Sequence, residues 1–307
     1  MRNTFADELT ALAADDHRIV LLSGDIGNKL FDRFKLVDTR RFYNCGIAEA
    51  NMMGVAAGMA LSGLRPVVYT ITPFTTTRCF EQIRVDVCYH KARVVIVGTG
   101  SGLSYAELGP THHSLEDMAI LRTLPGMSVM APCDATELRL ALRAALKADG
   151  PVYIRIGKKG EPPMHKRDPD LSIGRAIVMR PGKDVAVLAT GTIMPEAIEA
   201  AKRLTAQGLS TEVVSFHTLK PLDTNYLASA FSKFRLIATI EEHGCIGGLG
   251  AAIAEWRADS DVTTPMLRFG TPDEFMHEVG SQEYARIKYG LHADMIVSRI
   301  LDRLNHH

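Results

Sequence analysis

The feature that most constrains this chain is a repeated alternation of short aliphatic runs with segments of helical periodicity. Ile19-Val20-Leu21-Leu22 is the first run, and it stops at Ser23-Gly24-Asp25. Val67 to Tyr69, Val94 to Val97, Val129-Met130 and Val152 to Ile154 repeat the form. Helices are expected between them over 48–60, 77–88, 114–122 and 134–147, after a first amphipathic helix carrying Phe5, Leu9 and Leu12. A run that is apolar at every position is buried on both faces, the condition of a strand in a parallel sheet, and the intervening helices supply the crossovers. A second series follows, with strands at Val185 to Ala189, Thr211 to Ser215, Leu236 to Ile240 and Met266 to Phe269, and helices over 195–207 and 248–257. Between the series, Gly157 to Asp170 gathers Pro, Gly and charge without periodicity, as a linker does. The expected fold class is therefore α/β: two doubly wound domains with mainly parallel sheets, 1–160 and 181–307, joined by a linker over 161–180.

Composition narrows the function. The 35 basic and 35 acidic side chains cancel, which argues against nucleic acid as a partner, since phosphate binding needs uncompensated Lys and Arg. Apolar stretches such as Met52 to Leu61 fall short of the roughly 18–20 residues of a membrane span, so no membrane partner is expected. Acids at Asp7 and Glu8 stand where a signal peptide would be apolar, and the cytoplasm is the expected location. The five cysteines form no Cys-x-x-Cys pair and are expected to be reduced and mostly buried. Gly98-Thr-Gly100-Ser-Gly102 and Gly247-Gly248-Leu-Gly250 spell neither Gly-x-Gly-x-x-Gly nor a P-loop, so they are expected to be turns and close backbone contacts.

The most informative segment runs from Arg41 to Ala60. Glu49 sits alone among small and apolar residues at the start of a helix, Ala48-Glu49-Ala50-Asn51-Met52-Met53-Gly54. An acid there can simply favour the helix dipole. A buried carboxylate also needs a hydrogen-bond partner, and a ligand is the second possibility.

Gly46-Ile47-Ala48-Glu49 with Met52 and Gly58, then Gly63-Leu-Arg-Pro66, resembles the pyrimidine-binding domain of transketolases. Phe74-Thr-Thr-Thr-Arg78-Cys-Phe80-Glu81-Gln82 resembles the family's aromatic segment, and Gly109-Pro110-Thr111-His112-His113 its Gly-Pro-Thr-His motif. Thr190-Gly191-Thr192 and Leu219-Lys220-Pro221-Leu222-Asp223 resemble the transketolase C-terminal domain. The resemblance is essentially end to end, but the Gly-Asp-Gly of a diphosphate-binding domain is missing; Gly24-Asp25-Ile26 comes nearest. The chain thus resembles the C-terminal subunit of a split transketolase.

That resemblance implies thiamine diphosphate as cofactor, with Mg²⁺ held mainly by a separate N-terminal, diphosphate-binding subunit, in an α2β2 assembly. It implies transfer of a two-carbon ketol unit from a ketose to an aldehyde, with sugars or sugar phosphates as substrates. Glu49 becomes the cofactor-activating acid, Phe74 the pyrimidine platform, and Asp25 and Ile47 further cofactor contacts. His112 is implied as catalytic and substrate-binding, and imidazole titrates in the right range for proton transfer. His113 stands beside it as a second substrate candidate. Arg155 and Lys158, at the end of a strand, are candidates for a substrate phosphate.

Four positions depart from the family pattern: Ile71 and Thr77 replace aromatics, and Gly100 and Leu108 replace a His and an acid that bind donor hydroxyls. Neither Gly nor Leu offers a side-chain donor or acceptor, so an unusual donor sugar is expected. Two other readings stand beside this one: the β subunit of a 2-oxo acid dehydrogenase first component, and a non-catalytic scaffold subunit.

Overall fold

A computed structural model describes residues 1–27 and 29–306. Two sheets organise it. The first has seven strands: β1 (Ile19–Ser23), β2 (Phe42–Asn44), β3 (Arg65–Ile71), β4 (Val95–Thr99), β5 (Ser128–Met130), β6 (Val152–Ile156) and, arriving from later in the chain, β10 (Thr218–Lys220). Their spatial order is β10-β5-β6-β4-β3-β1-β2, parallel throughout except for β10, which runs antiparallel to β5 at the edge. The second sheet contains β7 (Ile177–Arg180), β8 (Val185–Thr190), β9 (Thr211–Ser215), β11 (Leu236–Gly244) and β12 (Met266–Thr271), ordered β12-β11-β8-β9-β7. Only β7 is antiparallel in it. The expected α/β class with mainly parallel sheets is what the chain adopts.

Every residue of β1, β4, β6, β8 and β9 is buried, as central strands of a sheet covered on both faces are, including Arg155 in β6 and Glu212 in β9. The helices Ala135–Lys147 and Met194–Ala206 instead bury one face, through Leu138, Ala141 and Leu142 in the first and Ala197, Ala201 and Leu204 in the second. One continuous apolar cluster joins the two halves: Leu121, Val129 and Tyr153 from the first sheet's side meet Leu188, Phe216 and Leu227 from the second. With β10 completing the first sheet, the halves share strands as well as a core.

Three expectations are corrected. Part of the stretch expected as linker, 177–180, is strand β7, and Ala176 just before it is tied by its N–H to Asp223 Oδ2 at 2.8 Å. The expected helix over 77–88 is a short 3₁₀ turn, one α turn and then a π-helical segment, Ile83–Tyr89. Helices also form over Thr224–Lys233, Gln282–Lys288 and Ala293–Asn305, outside the segments expected to be helical. All five cysteines are free thiols, with Cys79, Cys88 and Cys133 buried and Cys45 and Cys245 half-buried. No described helix is long and apolar enough to cross a membrane.

Candidate active site

The carboxyl ends of the parallel strands define one edge of the first sheet, where ligands of such sheets gather. Asp25 follows β1, Ile47 and Glu49 follow β2, Phe74 follows β3, His112 lies in the long loop after β4, and Lys158 follows β6.

Glu49 is the first residue of the helix Glu49–Leu61 and is only 6% exposed. Its approach is set by two glycines. Gly46 turns the chain at φ +66°, and a side chain on Gly24 would come within 3.6 Å of Glu49 Cγ and 3.1 Å of Thr70 Oγ1. The buried carboxylate has a partner, Arg78, whose Nη1 donates to Oε1 at 3.2 Å and Oε2 at 3.3 Å. The same guanidinium lies over the Phe74 ring, 3.8 Å from its centroid, and the Arg78 side chain is 46% exposed. Sequence reasoning includes Arg78 in the aromatic motif but assigns it no role; its spacing four residues after Phe74 is the available signal.

His112 extends this row. Its ring meets Phe74 edge-on at 5.3 Å and Tyr105 at 5.9 Å, and Thr111 Oγ1 lies 2.9 Å from its Nδ1. Burial, reinforced by the nearby Arg78 charge, lowers its pKa, so the imidazole is neutral at pH 7 and able to accept a proton. Lys158 caps the row: Nζ sits 4.5 Å from the Tyr105 ring centroid and is ion-paired with Glu107. Glu49, Arg78, Phe74, His112, Tyr105 and Lys158 thus form one continuous line along the sheet edge.

Gly100 has a structural reason in this row. A side chain there would need the space of Tyr105, whose ring carbon lies 2.0 Å from the position of a Cβ, and the φ of +86° favours glycine in any case. Tyr105 therefore fills the volume beside His112 that a residue at 100 would otherwise occupy. Leu108 is half-exposed at the mouth of the same loop.

The other predicted positions fall elsewhere. Asp25 is exposed, holds a positive φ of 37° and accepts from Asn44 Nδ2 at 3.1 Å, so it fixes the loops after β1 and β2 to each other. Ile47 is 80% exposed on the rim. His113 turns away from His112: it is buried, its Nε2 has no hydrogen-bond partner, and it lines a cavity of about 360 Å³ reaching Cys245 and Phe275. Arg155 is a correction. It is 4% exposed, and its Nη2 donates to the carbonyls of Ser114 at 2.8 Å and Glu242 at 2.6 Å, with Asp117 3.6 Å from Nε. With Nη2 spent on two carbonyls from opposite halves of the molecule, Arg155 acts as a structural clamp, buried away from the row formed by Glu49, Phe74 and His112.

A mainly parallel α/β sheet with a buried acid at a helix start and an aromatic beside it defines the class, an α/β protein with a candidate ligand site at the carboxyl ends of its strands. The model of the transketolase pyrimidine-binding domain matches residues 1–162, and that of the transketolase C-terminal domain matches 174–296. This chain belongs to the transketolase family, which is thiamine diphosphate-dependent. It is 38% identical, over 97% of its own length and 92% of the relative's, to the 6-deoxy-6-sulfo-D-fructose transketolase subunit SqwH of Clostridium sp. (strain MSTE9). It is 34% identical to an apulose-4-phosphate transketolase subunit of Phocaeicola vulgatus, covering 98% of this chain and 96% of that one. Among solved structures, a split-gene transketolase described as an inactive β4 tetramer superposes with a TM-score of 0.89 at 36% identity, covering 99% of this chain and 97% of that one. The chain has the make-up of the C-terminal subunit of a split transketolase.

Proposed function

We propose that this chain supplies the pyrimidine side of a thiamine diphosphate site whose diphosphate and Mg²⁺ side lies on a separate N-terminal subunit, in an α2β2 enzyme that is active only when assembled. The observation that carries this is the Glu49–Arg78–Phe74 arrangement. A flat, N–H-donating cation lies on the Phe74 ring and donates to Glu49, and an aminopyrimidine is likewise a flat group with N–H donors. The residues fit the cofactor: Glu49 is buried, its side-chain partner among the described residues is the half-exposed Arg78, which can swing away, and Gly24 leaves the approach open.

Thiamine diphosphate, when bound, supplies the carbon nucleophile for ketol transfer. Glu49 would hold the pyrimidine ring and carry a proton at its carboxyl group, a contact of the kind worth roughly 10²–10⁴ in rate. Phe74 orients the ring, adding about 0.5–1.5 kcal/mol beyond burial. Neutral His112, held between Phe74 and Tyr105, takes and returns the proton of the donor hydroxyl. Lys158 holds the anionic end of the substrate, exchanging Glu107 for it. Asp25 and Ile47 belong to the rim that meets the other subunit.

Relatives named for a sulfosugar and for apulose 4-phosphate support a donor other than the common ketose phosphates. Tyr105, standing in the space beside Gly100, supports it from the site itself, because it presents a phenol and a ring face where the family has an imidazole. Glu49→Gln in the assembled enzyme tests the central assignment. A fall in kcat of about 10²-fold or more is expected; retained activity would leave the chain as a scaffold.

A further inference from the structure

Beyond the row of residues from Glu49 to Lys158, four chain segments converge on a small buried polar cluster. Cys133 leaves β5, Glu137 lies in the first turn of the Ala135–Lys147 helix, His165 comes from the segment between the two sheets, and His217 lies between β9 and β10. Cys133, Glu137 and His217 are essentially fully buried and the His165 side chain nearly so. His165 Nε2 lies 3.0 Å from Glu137 Oε1 and 3.9 Å from Cys133 Sγ, and one donor atom from each of the three residues falls within 4.8 Å of the others. Asp134 fixes the approach by accepting from the Met164 N–H at 2.7 Å and the His165 N–H at 3.0 Å. His217 interacts electrostatically with both Glu137 and His165, and its Nε2 is buried without a hydrogen-bond partner.

We propose that Cys133, Glu137 and His165 form a site for a zinc-class divalent cation. Ligands at about 2.0–2.3 Å around a tetrahedral ion stand roughly 3.3–3.8 Å apart, so the observed spacings close on a metal with small side-chain rotations. A thiolate, an imidazole and a carboxylate match zinc better than Mg²⁺ or Ca²⁺, which take oxygen ligands. One thiolate and one carboxylate also cancel a 2+ charge, so the complex is neutral in a buried place where net charge is costly. On binding, the Cys133 thiol proton leaves to solvent and His165 presents a bare Nε2, its ring proton on Nδ1. The ion would pin the segment between the sheets to the end of β5 and the start of the Ala135–Lys147 helix, a structural role separate from ketol transfer.

The test uses the full chain stripped with chelator and titrated with Co²⁺ as the spectroscopic probe. One equivalent should bind with a thiolate-to-cobalt charge-transfer band, Zn²⁺ should displace it, and Zn²⁺ should raise the melting temperature. Cys133→Ser should abolish the band. His165→Asn, at the least buried of Cys133, Glu137 and His165, should weaken binding at least tenfold while circular dichroism stays that of the parent. A folded chain that binds no stoichiometric Co²⁺, or binds it equally well in both variants, overturns the site.

Discussion

At the residue scale, Arg78 is the most consequential side chain to which sequence reasoning assigns no role. It occupies both contacts proposed for the cofactor ring, so binding has to break a half-exposed ion pair worth about 0.5–1 kcal/mol. Arg78→Ala should therefore tighten thiamine diphosphate binding by the assembled enzyme about two- to fivefold, measured by calorimetry; unchanged or weaker binding would show that Arg78 does not stand in the ring's place. Arg155 makes the opposite case. Arg155→Met should cost about 3 kcal/mol in urea unfolding, because Asp117, 2% exposed, would keep only the Tyr153 hydroxyl at 2.5 Å. A rise in KM for a phosphorylated substrate with stability unchanged would restore it as a phosphate ligand. Sequence periodicity puts Arg155 on its strand correctly but has no means of showing that its guanidinium reaches carbonyls 41 and 87 residues away. His112 and His113 show the same limit: adjacent in sequence, they face an aromatic row and a separate cavity.

At the element scale, β11 carries two neighbouring titrations of opposite sign. Glu241 is fully buried and pushed up to about 7 from an ordinary 4.5, although its oxygens accept the Leu249 and Gly250 N–H groups at 2.6 and 2.8 Å. The unfolded carboxyl then loses its proton before the folded one, so this group lowers stability as pH rises from about 4.5 to 7. His243 is buried and pushed down to about 4 from 6.5, its Nε2 accepting the Ala119 N–H at 3.3 Å. The unfolded imidazole binds a proton first, so this group lowers stability as pH falls from about 6.5 to 4. The slopes oppose each other over most of that range. In Glu241→Gln the His243 slope stands alone, and the stability of the variant minus that of the parent should rise between pH 4.5 and 7, by up to about 1.4 kcal/mol per unit. A difference that does not change with pH would contradict the assignment. The strands legible in the sequence each have an apolar core of two or more consecutive residues, such as Val94 to Val97 and Val213-Val214. β2, β7 and β10 are not legible, because Phe42-Tyr43-Asn44, Ile177 to Arg180 and Thr218 to Lys220 are short, mixed in polarity and lie at sheet edges, where one flank needs no partner. The π-helical stretch Ile83–Tyr89 keeps a helical pattern of apolar residues, and periodicity alone does not separate it from an α-helix.

At the scale of the molecule, the two halves are fastened by a shared core, by β10 and by Arg155, so the site edge of the first sheet is held rigidly. On the proposed division, the second wall of the cofactor site belongs to another subunit, and the absence of a Gly-Asp-Gly motif from the sequence is what suggests it. Exposed apolar side chains at Ile47, Val55 and Leu61, along and beside the helix that begins with Glu49, lie where such a wall would rest. The most direct test is calorimetry of thiamine diphosphate with Mg²⁺, run on this chain alone and again after mixing with the diphosphate-binding subunit. Tight binding in the mixture only is the predicted result. Equally tight binding by the isolated chain, or none in a mixture that forms a stable complex, would contradict a cofactor site divided between two polypeptides.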